Sequence, residues 1–154
     1  MHGTLATELE VNVPAHEAWE LYGTLHLTDV THFFEKIEIL KGDGAVGTIL
    51  KFTLPKGATV FSTYEEEYTK VDNRKMIKEA EIIEGGYLDV GFTMYRTRFE
   101  IIKKSKTSCV TKTTIEYDVK EEDVANFTYV SILPMISIMK DAAAYLLANH
   151  TSED

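Results

Sequence analysis

The sequence is poor in cysteine, proline, tryptophan and basic residues. Its single cysteine, Cys109, excludes an internal disulfide, and no cysteine–histidine spacing resembles a zinc site. Lysine and arginine number 16 against 25 aspartates and glutamates, and the net charge of −9 disfavours binding to nucleic acid or to an anionic membrane. We interpret the basic run Lys103-Lys104-Ser105-Lys106 as a turn between two strands.

The sequence also lacks a long apolar run. No stretch approaches the roughly 18 residues that a membrane span needs, and the N-terminus lacks the apolar core of a signal peptide. We therefore expect a cytoplasmic protein with no membrane partner. The 154 residues, 44% of them hydrophobic, predict a single domain over 1–154 with one core.

The chain instead carries many short stretches in which apolar and polar residues alternate. Residues 5–13 predict a half-buried strand, Pro14 suits the first turn of a helix around Trp19, and a second short helix covers 25–34. Further strands are predicted at 36–40, 49–52, 59–70, 75–84, 88–103 and 107–119.

After Asp123 the apolar spacing becomes helical and continues to about Ala148, with Pro134 expected to kink the helix near its middle. This order predicts an α+β fold in which a curved, seven-stranded antiparallel sheet wraps around a long C-terminal helix, with two short helices after the first strand. Because such layers enclose space between them, we expect an internal ligand cavity.

Two predicted strands place ionisable groups on an apolar face. In Val60–Tyr68, alternation puts Tyr64 and Glu66 on the same side as Tyr68, and in the next strand Lys78 shares its side with Ala80 and Ile82. Burying a lysine and a glutamate is costly unless they are paired or reach a wet cavity, so the pattern indicates a functional site. The alternative is a register shifted by one residue, which turns the whole set outward.

Four stretches carry a resemblance to a known family. They are the glycine-rich turn Gly42-Asp43-Gly44-Ala45-Val46-Gly47-Thr48, which we interpret as a strand connection and not a phosphate loop, and Ile83–Gly91, Trp19–Leu25 and Ser108–Val110. Together they resemble the plant pathogenesis-related class-10 family typified by the birch pollen allergen Bet v 1. Within that family the chain is similar to the norcoclaurine synthases and, more closely, to the norbelladine synthases of alkaloid biosynthesis.

The resemblance implies catalytic roles for Tyr64, Glu66 and Lys78, the residues that alternation had placed inward. The position of a further family aspartate falls at Thr97, which cannot act as a carboxylate base, and Ala45 replaces a glycine of the family loop. The segment between Leu25 and Glu35 is a few residues shorter than in the synthases.

The implied chemistry is the condensation of an arylethylamine, such as tyramine or dopamine, with an aromatic aldehyde to an imine, with cyclisation as an optional further step. We expect Lys78 to act as general acid, Glu66 to accept the amine proton, and Tyr64 to hydrogen-bond the substrate. Burial should lower the pKa of Lys78, whereas Glu66 should raise it. The residues predicted to bind substrate are Tyr68, Tyr95, Thr97, Phe99 and Met139.

No metal or organic cofactor is expected, and a reductase that consumes the imine is a candidate partner. The alternative function is a non-catalytic intracellular carrier of small apolar metabolites or hormones, for which Lys78 and Glu66 form a salt bridge or orient a ligand. Thr97 and the shortened segment favour the carrier. Ribonuclease activity, sometimes attributed to the family, fits poorly with the acidic charge.

Overall fold

A seven-stranded antiparallel sheet in the order β1-β7-β6-β5-β4-β3-β2 organises the computed structural model, which describes residues 1–150. Its strands are β1 (His2–Val11), β2 (Lys36–Lys41), β3 (Ile49–Thr53), β4 (Thr63–Asp72), β5 (Ile77–Gly85), β6 (Phe92–Ser105) and β7 (Ser108–Val119). The sheet is open, with β1 and β2 at its two edges. The predicted domain over 1–154 includes residues 151–154, which lie outside the described part.

Three α-helices complete the fold: α1 (Ala15–Tyr22), α2 (His26–Val30) and α3 (Leu133–Asn149). The first two follow β1 directly, as predicted, with Pro14 at the N-cap of α1. The core lies between the sheet and these helices, where Ile115 of β7 and Ala142 of α3 are fully buried. The predicted α+β fold is therefore confirmed.

The lone thiol lies deep in this core. Cys109 of β7 is fully buried and pairs across the sheet with Val11 of β1. Burial raises the pKa of the Cys109 thiol to about 11.

Two predicted strand starts were wrong. β4 begins at Thr63 rather than near 59, because the turn containing Pro55 and Gly57 extends the preceding loop, and Val60 is consequently exposed. Phe61, also in this loop, packs its ring against Tyr87 at 4.7 Å. β6 likewise begins at Phe92 rather than near 88, since residues Gly86–Val90 form a short 3-10 helix.

The predicted long helix was also wrong in its first half. Residues Glu121–Tyr129 form a separate 3-10 helix, and α3 begins only at Leu133. Pro134 therefore occupies the first turn of α3 instead of its middle, a position where its missing N–H leaves no hydrogen bond unmade.

Within residues 1–150, no single helix is long and apolar enough to cross a membrane. One pair of helices among these residues, Glu121–Tyr129 and Leu133–Asn149, is long and apolar enough when taken together, but the two are bent by 40° from each other.

Two glycines offer a test of how the turn after β5 supports Tyr64. Gly86 has a φ of +55°, and a Cβ added there would lie 2.8 Å from the Cβ of Tyr64. Gly47 has a φ of +95°, but a Cβ added there meets nothing within 4 Å. The Gly47→Ala variant thus carries backbone strain without the collision, and is the matched control.

We expect Gly86→Ala to lower the free energy of unfolding by about 2 kcal/mol, the usual cost of strain combined with overpacking. Gly47→Ala should lower the free energy of unfolding by a smaller amount than Gly86→Ala, although the φ of Gly47 is less favourable for alanine. Urea denaturation of both variants measures the difference. Equal destabilisation would show that the contact with Tyr64 is unimportant.

Candidate functional site

The register of β4, β5 and β6 brings the candidate residues onto one face of the sheet. Lys78 of β5 lies directly opposite Phe99 of β6, and Ala80 lies between Thr97 of β6 and Tyr68 of β4. One step further along, Glu66 lies opposite Ile82. The alternation predicted from the sequence therefore has the correct register.

An irregularity in β5 preserves this arrangement. Glu65 pairs with Glu84 and Glu66 pairs with Ile82, so Ile83 is an extra residue on the β5 side and is exposed. The extra residue that β4 itself carries, Thr69, comes after Tyr68, so Tyr64, Glu66 and Tyr68 continue to alternate inward.

The shared face lines an internal cavity with a free volume of about 50 Å³. Seven of the eight predicted site residues line it: Tyr64, Glu66, Tyr68, Lys78, Tyr95, Thr97 and Phe99. Their catalytic and binding roles remain predictions, but the structure brings them together.

Met139 requires a correction. It is buried in α3 but does not line the cavity, where Met135 and Ile138 of the same helix lie instead. Each residue turns an α-helix by about 100°, which rotates Met139 away from the side that Ile138 presents to the cavity. Helical spacing alone predicted an apolar stripe without defining which part of it meets the cavity.

Sequence reasoning missed much of the remaining cavity wall. It is formed by α2 and the segment after it, and by residues of β2 and β3: Leu27, Thr28, Thr31, Phe34, Ile37, Leu50 and Phe52. The i, i+1, i+4 spacing of Leu27, Thr28 and Thr31 was the available signal, because it places them on one side of a short helix. The shortened segment thus contributes directly to the cavity.

Lys78 is 2% exposed, and its ammonium group lies among aromatic rings. The Nζ atom is 4.6 Å from the ring centroid of Tyr68 and 5.5 Å from that of Phe99. It donates a long hydrogen bond of 3.5 Å to the Tyr68 hydroxyl. Among the described residues, no ion pair within 4.0 Å joins Lys78 to Glu66, so the salt bridge considered for a carrier is not formed.

Burial controls the protonation of both charged groups. It lowers the pKa of Lys78 to about 8, and the nearby Glu66 carboxylate offsets part of that effect. Burial raises the pKa of Glu66 to about 7, with Lys78 acting in the opposite direction. The predicted lowering of the Lys78 pKa by burial and its raising by Glu66 are both confirmed. The pKa values of Glu66 and Lys78 therefore both lie close to neutral pH.

Tyr64 remains a neutral hydrogen-bond donor. Burial raises its pKa well above the usual value near 10, and the charge of Glu66 raises it further. Its ring stacks on Phe52 at 5.0 Å. The hydroxyl is thus available beside an acid–base pair.

The cavity continues outward through two further spaces. A narrow one of about 30 Å³ shares Phe34, Tyr64, Tyr95 and Met135 with the cavity. It in turn shares Phe33, Phe61 and Tyr87 with an open outer cleft of about 620 Å³. Neighbouring spaces in this series are therefore separated by the side chains that line both of them.

The described residues contain no group of three or more histidine, cysteine, aspartate or glutamate side chains that could hold a metal ion. The polar groups of the cavity are instead one lysine, one carboxylate, three tyrosines and threonines, in a mostly aromatic and aliphatic wall.

An open sheet closed by a C-terminal helix over an internal cavity is the helix-grip architecture. Residues 1–149 match the pathogenesis-related protein Bet v 1 family, and the chain belongs to that family. It is 39% identical to norbelladine synthase of Narcissus pseudonarcissus, over 96% of this chain and 93% of that protein. It is also 38% identical to S-norcoclaurine synthase of Thalictrum flavum subsp. glaucum, over 95% of this chain and 71% of that protein.

A solved structure supports the same relationship. Norcoclaurine synthase from Thalictrum flavum, in complex with dopamine and hydroxybenzaldehyde, superimposes with a TM-score of 0.87 and 34% identity, covering 99% of this chain and 90% of that one. The resemblance read from the sequence is therefore confirmed.

The raised pKa of Glu66 predicts a stability that depends on pH. The carboxyl titrates near 4.5 when unfolded and about 7 when folded, so between these values the folded chain binds more protons and its free energy of unfolding falls as pH rises. A pKa difference of one between the folded and unfolded states corresponds to about 1.4 kcal/mol. From pH 4.5 to 7.5, wild type should lose roughly 2–3 kcal/mol more than Glu66→Gln.

Urea denaturation at several pH values measures this loss. Glu67→Gln changes the next residue of β4, on its opposite face, and serves as the control. Its free energy of unfolding should change with pH as that of wild type does. If Glu66→Gln shows the same pH slope as wild type, Glu66 does not experience the burial described here.

Proposed function

We propose that this protein condenses an arylethylamine such as tyramine with an aromatic aldehyde such as dihydroxybenzaldehyde, forming an imine in alkaloid biosynthesis. The observation that carries the proposal is the presence of Glu66 and Lys78 in one apolar cavity, with pKa values of about 7 and 8. The similarity to norbelladine synthase and norcoclaurine synthases supports the same reaction class.

The first step joins the substrates. The neutral amine nitrogen attacks the aldehyde carbon, and the carbonyl π electrons move to oxygen as the C–N bond forms. Lys78 donates a proton to that oxygen, and Glu66 accepts a proton from the amine nitrogen, which gives a neutral carbinolamine. Tyr64 donates a hydrogen bond to the oxygen and stabilises its developing charge.

The second step releases water. Lys78, reprotonated through Glu66 and the cavity, protonates the carbinolamine hydroxyl, which departs as water while the nitrogen lone pair forms the C=N bond. The remaining N–H proton is lost to Glu66 or accompanies the iminium product. Holding the two aromatic rings together contributes much of the acceleration, because the bimolecular step becomes intramolecular.

Thr97 favours the open imine as product. Cyclisation requires a base to remove a proton during attack by the aromatic ring, and Thr97, which is buried and lines the cavity, offers only a hydroxyl. We therefore place the activity nearer to norbelladine formation than to norcoclaurine formation.

Substrate binding requires the cavity to open. Its free volume of about 50 Å³ accommodates a few water molecules, whereas small-molecule sites usually enclose about 300–1,000 Å³. Side chains of the narrow space, notably Phe34 and Met135, lie between the cavity and the outer cleft and must move aside.

An imine hydrolyses readily in water, so we further propose a downstream reductase as a partner in the cytoplasm. Physical association or kinetic channelling with an imine-reducing enzyme would support this partnership. Unchanged imine reduction with and without the protein would count against it.

The central test compares wild type with Lys78→Ala. Tyramine and 3,4-dihydroxybenzaldehyde are incubated with protein, and the imine is trapped as a secondary amine with borohydride and quantified. We expect wild type to exceed the buffer background and Lys78→Ala to lose at least about 100-fold in kcat/KM, as is usual when a general acid is removed. Lys70→Ala, an exposed lysine of β4, should retain full activity.

If wild type matches buffer while both proteins bind an aromatic ligand, the carrier function is correct and Lys78 is structural.

The two pKa values also predict a narrow pH optimum. The kcat/KM should rise as Glu66 ionises near pH 7 and fall as Lys78 loses its proton near pH 8. The substrate amine titrates near 10 and attacks only when neutral, so its reactive fraction rises about tenfold per pH unit over most of this range. The kcat/KM is therefore expressed per concentration of neutral amine, which leaves the two limbs of the enzyme. Initial rates from about pH 5.5 to 9.5 measure the profile. Glu66→Gln should remove the acid limb, and a flat profile for wild type would exclude both roles.

A further inference from the structure

The ammonium group of Lys78 has an unusual set of neighbours for a buried charge. Phe99 lies directly opposite on β6, and Tyr68 lies on β4 opposite Ala80, two residues further along the same face. Aromatic side chains from two strands therefore flank Lys78, in place of the carboxylate that normally accompanies a buried cation.

We propose that Tyr68 is a positioning residue for Lys78, whose ring face and hydroxyl together hold the ammonium group at the cavity and favour its charged form. This inference rests on the proposed function, in which Lys78 is the proton donor. It assigns Tyr68 a role beyond that of a cavity wall.

The two aromatic neighbours are not equivalent. The Nζ atom is 4.6 Å from the centroid of Tyr68 and 5.5 Å from that of Phe99, and both distances lie within the range of a cation–π interaction. Only Tyr68 adds an oxygen, at 3.5 Å from Nζ. Phe99 therefore provides a natural comparison, since its ring contributes the weaker contact and has no hydroxyl.

Tyr68 is itself firmly held. Its side chain is 3% exposed, its backbone N–H donates to Thr48 at 2.8 Å, and its carbonyl accepts from Gly47 at 2.9 Å. The glycine-rich turn thus fixes the strand at the residue that contacts Lys78. A buried side chain with both backbone groups bonded can position a neighbour without moving itself.

The Tyr68 hydroxyl remains neutral, because burial and the nearby Glu66 raise its pKa well above the ordinary value. It can therefore accept a hydrogen bond from the ammonium group. The other titratable groups lining the cavity are Tyr64 and Glu66 of β4 and Tyr95 of β6, while the lining residues of α2 and α3 include none. Among the described residues that line the cavity, Glu66 is thus the one carboxylate, and it favours the charged form of Lys78 in addition to Tyr68.

The test measures the pKa of Lys78 directly, without relying on activity. Protein labelled with ¹³Cε-lysine is titrated by NMR, and the Lys78 signal is assigned by its loss in Lys78→Gln. Removing the ring and hydroxyl in Tyr68→Leu should lower the pKa of Lys78 by about 1, given the usual strength of a desolvated cation–π contact. At pH 8 the protonated fraction would fall from about half to about a tenth.

Two further variants separate the contributions. Tyr68→Phe keeps the ring and the packing volume, so it should fold normally. Its Lys78 pKa should lie close to that of wild type, lower only by the small contribution of the lost hydrogen bond. Phe99→Leu should lower the pKa less than Tyr68→Leu. The basic limb of the kcat/KM profile should move to lower pH by the same amount as the NMR value in each variant.

If Tyr68→Leu and Tyr68→Phe leave the Lys78 pKa within about 0.2 of the wild-type value, the proposal is overturned and Tyr68 is only a wall. If the pKa moves as expected in a protein that forms no imine, the positioning by Tyr68 is correct and the proposed catalytic function fails. The two inferences are thereby tested separately.

Discussion

The burial of two opposite charges that do not pair is the constraint on which this structure depends. Glu66 and Lys78 both lie on the apolar side of the sheet, and each has a pKa moved toward neutrality because the charged form is disfavoured there. A direct salt bridge would relieve that cost and would also return both pKa values toward their ordinary range. Keeping the charges apart retains an acid and a base that can both exchange protons.

The opposite side of the sheet stabilises the strand register that this site requires. There Arg98 bonds to Glu79 of β5 and to Glu116 of β7, each at 2.9 Å, and Arg96 reaches the same two carboxylates at 3.8 Å. Because these pairs link three neighbouring strands, a shift of one residue would separate them while also turning Lys78 outward. Charges on the outer face thus reinforce the placement of a charge on the inner face.

Local periodicity predicted much of this arrangement. Alternation along β4, β5 and β6 assigned Tyr64, Glu66 and Lys78 to one face, because side-chain direction in a strand depends only on parity once the register is correct. Features set by tertiary packing could not be predicted in this way. They include the rotation of α3 that directs Ile138 rather than Met139 to the cavity, the wall from α2, and the start of α3 beside Pro134.

The deep burial of Cys109 has a consequence for chemical durability. Catechols oxidise in air to quinones, which alkylate thiolates and would inactivate a protein that handles such compounds repeatedly. With its pKa raised to about 11 and no exposed surface, the lone thiol of this chain presents almost no thiolate at neutral pH and no route of attack. Its burial therefore protects this side chain from electrophiles of that kind.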